Sequence, residues 1–276
     1  IDKMLGDPDE YSFEGESKEL TVLFSDIRSF TTISESLSAT ELKAMLNEFF
    51  TPITEIIFKH QGTIDKYIGD LVMAFWGAPL DDPDHRSNAI LAALEMLQKV
   101  ENLKAEFKEK GFPECNVGVG VNSGIMNVGD MGSTYRRSYT VLGDAVNLGS
   151  RLEGLTKEYG VKLLIGEETA KGLEGFLLRH IDKVKVKGKD KAIDCYEPMC
   201  QLSEASDELK ETVERYHQAQ ERYFAQDWDT AEQQLRALAE QDPEGVLYKV
   251  YLGRIETLRE QELPEDWDGS YTFTHK

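Results

Sequence analysis

Asp26 closes the first apolar run of the chain, Leu20-Thr21-Val22-Leu23-Phe24, and Asp70 stands in Ile68-Gly69-Asp70 between two further runs. If those runs are neighbouring strands, the two carboxylates meet at one sheet edge. They then form an oxygen-only donor set, which suits Mg²⁺ or Mn²⁺ carried by a nucleotide. The same residues also fit a plain turn residue and a helix-start cap, and spacing alone leaves both readings open. Ile27-Arg28-Ser29-Phe30-Thr31-Thr32 follows Asp26 and leads toward a helix. The unpaired N–H groups and positive dipole end of a helix start would seat a phosphate beside the carboxylates. No G-x-x-x-x-G-K-[ST] pattern is present, so a P-loop enzyme is excluded.

Asn147 and Arg151 lie four apart in a helical stretch and share one face. The planar fork of Arg151 could hold a phosphoryl group, or it could pair with Glu153 or Glu158 on the surface. The segment Arg179 to Lys191 holds six Lys or Arg against two Asp, and Lys187-Gly188-Lys189 reads as a tight turn presenting amines. Such a run is either a solvated strand face or a polyphosphate contact.

These residues are set in an acidic chain. Its 276 residues carry 31 Lys and Arg against 51 Asp and Glu, a net charge of -20. That field repels nucleic-acid backbones and anionic lipid, so indiscriminate binding to either is excluded, and any phosphate must meet a local positive pocket or a metal. No apolar run reaches the roughly 18 residues of a membrane span, and no signal peptide opens the chain. The start at Ile1 leads us to expect a fragment of a longer protein. Three cysteines, Cys115, Cys195 and Cys200, without C-x-x-C spacing, fit a reducing compartment, so a cytoplasmic location is expected.

The elements that must position the chemistry follow from periodicity. Lys18 to Ser25 reads as a buried strand. Ser38-Ala39-Thr40-Glu41 has capping-box spacing and starts a helix with Leu42, Met45, Leu46, Phe49, Ile53 and Ile57 on one stripe, kinked at Pro52 and stopped at Gly62. Thr63 to Tyr67 and Leu71 to Trp76 form a hairpin on a Gly-Asp turn. A helix from about Arg86 to Lys110 precedes a strand in which Val117, Val119 and Val121 alternate with Gly118 and Gly120, leaving one face bare for close approach. A strand at Ile125 to Val128, a Gly-rich loop, a strand at Ser138 to Leu142 and a helix from Asp144 to Tyr159 come next. Strands at Val161 to Ile165, Leu178 to Val186 and Ala192 to Tyr196 complete the set. Hairpins interrupt the strand–helix alternation, which predicts an α+β sheet covered by helices on one face.

Residues 203–276 carry half of the net charge, -10, and a purely helical period through Tyr216, Ala219, Tyr223, Trp228, Ala231, Leu235 and Leu238. Three segments are expected: a linker at 1–17, a main domain at 18–202, and a helical extension at 203–276. The extension has the spacing of one tetratricopeptide-like hairpin, followed by an extended tail anchored by Trp267. One such repeat cannot bury both faces, so it should pack on the main domain or on a partner.

In combination, four stretches resemble the class III nucleotidyl cyclases. They are Leu23-Phe24-Ser25-Asp26-Ile27-Arg28-Ser29-Phe30-Thr31, Lys66-Tyr67-Ile68-Gly69-Asp70, Tyr139-Thr140-Val141-Leu142-Gly143-Asp144-Ala145-Val146-Asn147 through Arg151, and Val186-Lys187-Gly188-Lys189. They stand in family order between about Lys18 and Pro198. The resemblance implies a ferredoxin-like antiparallel or mixed sheet and cyclisation of a nucleoside triphosphate. It implies that Asp26, Asp70 and the Ile27 carbonyl hold two Mg²⁺ or Mn²⁺ ions per site, with Phe30 and Thr31 near the phosphates. Lys66 would donate to adenine N1, Thr140 would pair with the exocyclic amine, and Asn147 would orient the ribose. Arg151 would stabilise charge at the α-phosphate, and Lys187, with Arg136 in the loop before Thr140, would bind outer phosphates. In such proteins the metal aspartates come from one chain and the Lys66, Thr140, Asn147 and Arg151 equivalents from another, which implies a homodimer with two equivalent sites.

Within that family, Lys66 suits adenine N1, which accepts, and not guanine N1–H, which donates. ATP is therefore the expected substrate. Thr140 resembles the subgroup that responds to bicarbonate or CO₂, and a hydroxyl, which can donate or accept, should discriminate less sharply than a carboxylate. A guanylate cyclase is one alternative. A diguanylate cyclase is another, although its Gly-Gly-Asp/Glu-Glu-Phe turn is absent. A third is an inactive dimerisation or sensor module, which would typically have lost Asp26, Asp70 or Arg151. A sensory or membrane domain is expected upstream.

Overall fold

The strand that carries Asp26 lies inside the sheet and is buried on both faces. The computed structural model describes residues 15–133, 135–185 and 191–273. β1 (Glu16–Ile27) pairs antiparallel with β3 (Leu71–Trp76) on one side and β4 (Val117–Ser133) on the other. Its two alternating sets explain the double burial. Leu23 and Ile27 face one core, while Leu20, Val22 and Phe24 face another.

β2 (Thr63–Ile68) and β3 form the expected hairpin, with Gly69 at φ 64° and Asp70 between them. β5 (Arg136–Leu142) folds back on β4. Beyond β4 come β6 (Leu163–Gly166), β8 (Ile193–Gln201), β7 (Phe176–Lys185) and the short β9 (Tyr271–Thr272). The β4–β6 and β7–β9 pairs are parallel and the rest antiparallel, so the sheet is mixed and the α+β class holds.

Helices cover both faces, where one was expected. α1 (Phe30–Ser36), α2 (Ala39–Lys59) and α3 (His85–Lys110) bury Ile33, Met45, Phe49, Ile53, Ala93 and Met96 against one face. The Ser38–Glu41 capping box forms in both directions and α2 runs on through Pro52. α4 (Asp144–Tyr159) covers the opposite face, seated on the bare side of β4. A Cβ on Gly120 would stand 2.5 Å from the Gly149 carbonyl oxygen and 2.2 Å from the Glu153 nitrogen. The Val-Gly alternation therefore brings a helix backbone onto a strand backbone.

Several boundaries differ from expectation. β1 begins two residues early, because its outer end is held by the ladder to Met126 and Val128 rather than by its own apolar content. Ile125 to Val128 and the Gly-rich stretch are part of β4, whose pairing continues to Ser133 opposite Arg136. Arg136 thus opens a strand instead of lying in a loop. A short helix, α5 (Glu167–Lys171), follows β6.

The C-terminal segment holds three helices: α6 (Asp207–Phe224), α7 (Trp228–Gln241) and α8 (Val246–Leu258). Tyr216, Tyr223, Leu235, Tyr251 and Ile255 share a core with Leu152, Tyr159, Leu164, Ile181 and Cys195 of the sheet and α4. Trp267 packs edge-on against Tyr223 and Trp228, and β9 then adds to β7. Among the described residues, no helix is long and apolar enough to cross a membrane.

Candidate active site

The end of β1 and the β2–β3 turn bring Asp26 and Asp70 together. The Ile27 N–H donates to Asp26 Oδ1 at 3.0 Å and to Asp70 Oδ2 at 3.1 Å. Partial burial, a hydrogen bond shared with Asp70 and the charges of Asp70 and Glu153 push the Asp26 carboxyl up to about 7, against the pull of the Ile27 N–H. Two carboxylates held this close favour a cation between them, and the all-oxygen donor set fits Mg²⁺ or Mn²⁺. Among the described residues, no group of three or more His, Cys, Asp or Glu is placed to hold a metal ion. Phe30 and Thr31 open α1 directly beyond Asp26, behind Ser29 in the left-handed region with no side-chain cap.

A second group forms between β2 and β5. Thr140 is 7 % exposed and donates its hydroxyl to Asp65 Oδ2 at 2.5 Å. Lys66 Nζ lies 3.5 Å from Thr140 Oγ1 and 3.1 Å from Asp65 Oδ1, the latter a contact of charge rather than an aligned hydrogen bond. Adjacent strand residues ordinarily point to opposite faces. Here the β2–β3 register shifts between Ile64 and Lys66, which lets Asp65 and Lys66 serve one cluster. Asp65 escapes the sequence reading. Its signal was a buried acid beside a basic residue, legible only once the bulge is known.

Asn147 and Arg151 both lie exposed on α4. Among the described residues, Arg151 has no ion pair, and Glu153 instead meets Arg28 Nη1 at 3.4 Å. Burial lifts the Glu153 carboxyl above its usual range and Arg28 opposes the lift. Arg28 also donates to the Thr156 hydroxyl, so the residue after Ile27 is tied to the body of α4. Arg136 is exposed at the start of β5, four residues before Thr140. Lys187 lies outside the described residues. Among the described residues, no hydrogen bond joins the Asp26–Asp70 pair to the Lys66–Asp65–Thr140 group.

Comparison with known proteins gives a consistent picture. The family described as "Adenylate and Guanylate cyclase catalytic domain" matches residues 14–197. Adenylate cyclase 1 of Rhizobium meliloti is 39% identical over 181 residues, 65% of this chain and 27% of that protein. The adenylate cyclase of Anabaena cylindrica is 41% identical over 189 residues, 66% of this chain and 37% of that protein. The chain therefore spans only about a quarter to a third of these relatives. The crystal structure of the adenylyl cyclase CyaB from P. aeruginosa superposes with a TM-score of 0.63 at 32% identity, covering 70% of this chain and 100% of that one.

Proposed function

This chain belongs to the adenylate and guanylate cyclase family, and we propose that within it the chain is an adenylate cyclase, forming 3′,5′-cyclic AMP and pyrophosphate from ATP. The ribose 3′-oxygen attacks the α-phosphorus, the bond from that phosphorus to the bridging oxygen of the β-phosphate breaks, and the 3′-hydroxyl proton is lost. The adenine reading is carried by one observation: Lys66 Nζ of β2 and Thr140 Oγ1 of β5, remote in sequence and on strands that do not pair with each other, lie 3.5 Å apart. There Lys66 can donate to N1 while Thr140 meets the 6-amino group.

Asp26, Asp70 and the Ile27 carbonyl would hold two Mg²⁺ or Mn²⁺ ions, which when bound neutralise the triphosphate and acidify the 3′-hydroxyl. Asn147 orients the ribose. Arg151, exposed and unpaired among the described residues, stabilises charge growing on the α-phosphate. Phe30 and Thr31 offer backbone N–H groups, and Arg136 and Lys187 offer cations, to the phosphates. By its resemblance to the family, the chain forms a homodimer in which each site takes its aspartates from one chain and its base contacts from the other. Residues 18–202 form the catalytic domain and 203–276 its extension, with a cytoplasmic location. Thr140 goes with a response to bicarbonate or CO₂.

The test is turnover of ATP against GTP, in Mg²⁺ and in Mn²⁺, with and without bicarbonate, on the chain and on Asp70→Ala. ATP preference that vanishes in Asp70→Ala, with an unchanged melting curve, is expected. Equal turnover by the variant would remove the metal assignment, and a GTP preference would favour the guanylate reading.

A further inference from the structure

We infer that Asp65 sets the direction of the Thr140 hydroxyl and so makes Thr140 an acceptor toward the purine, giving base selection to a residue that never touches the base. The inference rests on the reading of Lys66 and Thr140 as base contacts. A threonine hydroxyl has one proton and two lone pairs. With its proton toward the base it suits a 6-oxo group, and with a lone pair toward the base it suits a 6-amino group. Thr140 spends its proton on Asp65 Oδ2 at 2.5 Å. The Asp65 side chain is fully buried, and a carboxylate next to an ammonium can only accept. Lys66 Nζ approaches one Thr140 lone pair at 3.5 Å, which leaves the other for the ligand. Thr140 thereby presents the polarity of a carboxylate oxygen while remaining a neutral hydroxyl. The looser discrimination that a free hydroxyl would give is removed by its neighbour. The bulge between Ile64 and Lys66 is what allows this, because a regular strand would send Asp65 to the other face.

The geometry also says what a neutral isostere would do. In Asp65→Asn only one oxygen remains, and Lys66, which has donors and no acceptor, takes it. The amide NH₂ then faces Thr140, whose oxygen must accept, so its proton turns outward. Polarity toward the base inverts.

The experiment measures kcat/KM of the full chain in Mg²⁺ with three triphosphates: ATP, inosine triphosphate with its 6-oxo group, and purine riboside triphosphate with nothing at C6. Ratios to purine riboside triphosphate cancel effects on folding and on chemistry, and because inosine also differs at N1, which bears hydrogen, the C6 contact is read from the change of each ratio between the variant and the unaltered chain. In Asp65→Asn the ATP ratio is expected to fall and the inosine ratio to rise, moving ATP-over-inosine preference by about 10-fold, the worth of one misdirected hydrogen bond. Asp65→Ala, which frees the hydroxyl, should fall between the two. A parallel fall on all three substrates would overturn the inference and leave the cyclase reading intact. No turnover of any of them by the unaltered chain would overturn both. If neither Asp65 variant folds, Thr140→Val decides: losing an acceptor lowers the ATP ratio and raises the inosine ratio, and the opposite pattern would mean that the hydroxyl donates.

Discussion

Gly120 of β4 and Gly149 of α4 touch backbone to backbone, with 2.5 Å between a Cβ built on Gly120 and the Gly149 carbonyl oxygen. The contact seats the half of α4 that carries Asn147 and Arg151. Because the obstructing atoms are main-chain atoms, no rotamer change can relieve an added methyl. Gly120→Ala is expected to cost about 1–3 kcal/mol of unfolding free energy through overpacking. Urea unfolding measures it, and a variant with an unshifted midpoint would show that α4 is not held by this approach.

The Asp26–Asp70 pair should trade stability for function. Asp26 has a folded-state value raised to about 7, so the native state holds a proton that the unfolded chain has released. Stability from this group therefore falls as pH rises from about 4 to 7, and the whole penalty is present above 7. In metal-free protein, Asp26→Asn should raise Tm at pH 8 and raise it much less at pH 5. Millimolar Mg²⁺ should raise the Tm of the unaltered chain at pH 8 and fail to do so for Asp26→Asn. Equal melting of the two proteins at pH 8 without metal would contradict the strain assigned to the pair.

The elements that carry the candidate site residues were legible because they are strongly patterned. Asp26 ends an apolar run, Asp70 occupies a two-residue Gly-Asp turn, and Asn147 and Arg151 share a helix face by spacing alone. Asp65 was not legible, since strand alternation puts it opposite Lys66 and only cross-strand register reveals the bulge. The Gly-rich stretch before Arg136 read as a loop because glycine is depleted in strands, yet pairing along β4 and β5 overrides that preference. α8 was hidden because a core position is filled by Arg254 while Val246 lies on the surface, which blurs the apolar stripe.

The proposed division of each site between two chains makes a complementation prediction. Asp26→Ala and Arg151→Ala are each expected to be inactive, the second with kcat reduced by roughly 10²-fold or more if Arg151 acts as an oxyanion donor does. Arg151 is exposed and unpaired among the described residues, so its loss should leave the melting curve unchanged. A mixed dimer of the two variants retains one intact site and should recover a large part of one site's turnover. Confirmed mixed dimers without recovery would place both residues in the same chain's site.

The C-terminal helices are tied to the sheet by a buried charge. Asp182 of β7 is fully buried and Arg254 of α8 is 8 % exposed, with Arg254 Nη1 at 2.6 Å from Asp182 Oδ2. Tyr159 of α4 donates to the same carboxylate oxygen at 2.5 Å, and Tyr251 donates to the Ile181 carbonyl at 2.8 Å. Arg254 is closed in further by the Tyr271 ring, 3.8 Å from its guanidinium carbon. Removing one partner strands the other charge in the core, so Arg254→Met should cost about 3–5 kcal/mol. Replacing both, as Asp182→Leu with Arg254→Met, should recover most of that loss, because a buried pair gains little over apolar packing of similar volume. Deleting residues 204–276 would also uncover Leu164, Ile181 and Cys195, so the truncated chain is expected to lose its cooperative melt together with its activity. Urea midpoints of the single, double and truncated chains check this. A truncated chain that melts like the full one would show that the extension is a passenger on the catalytic domain and not part of its core.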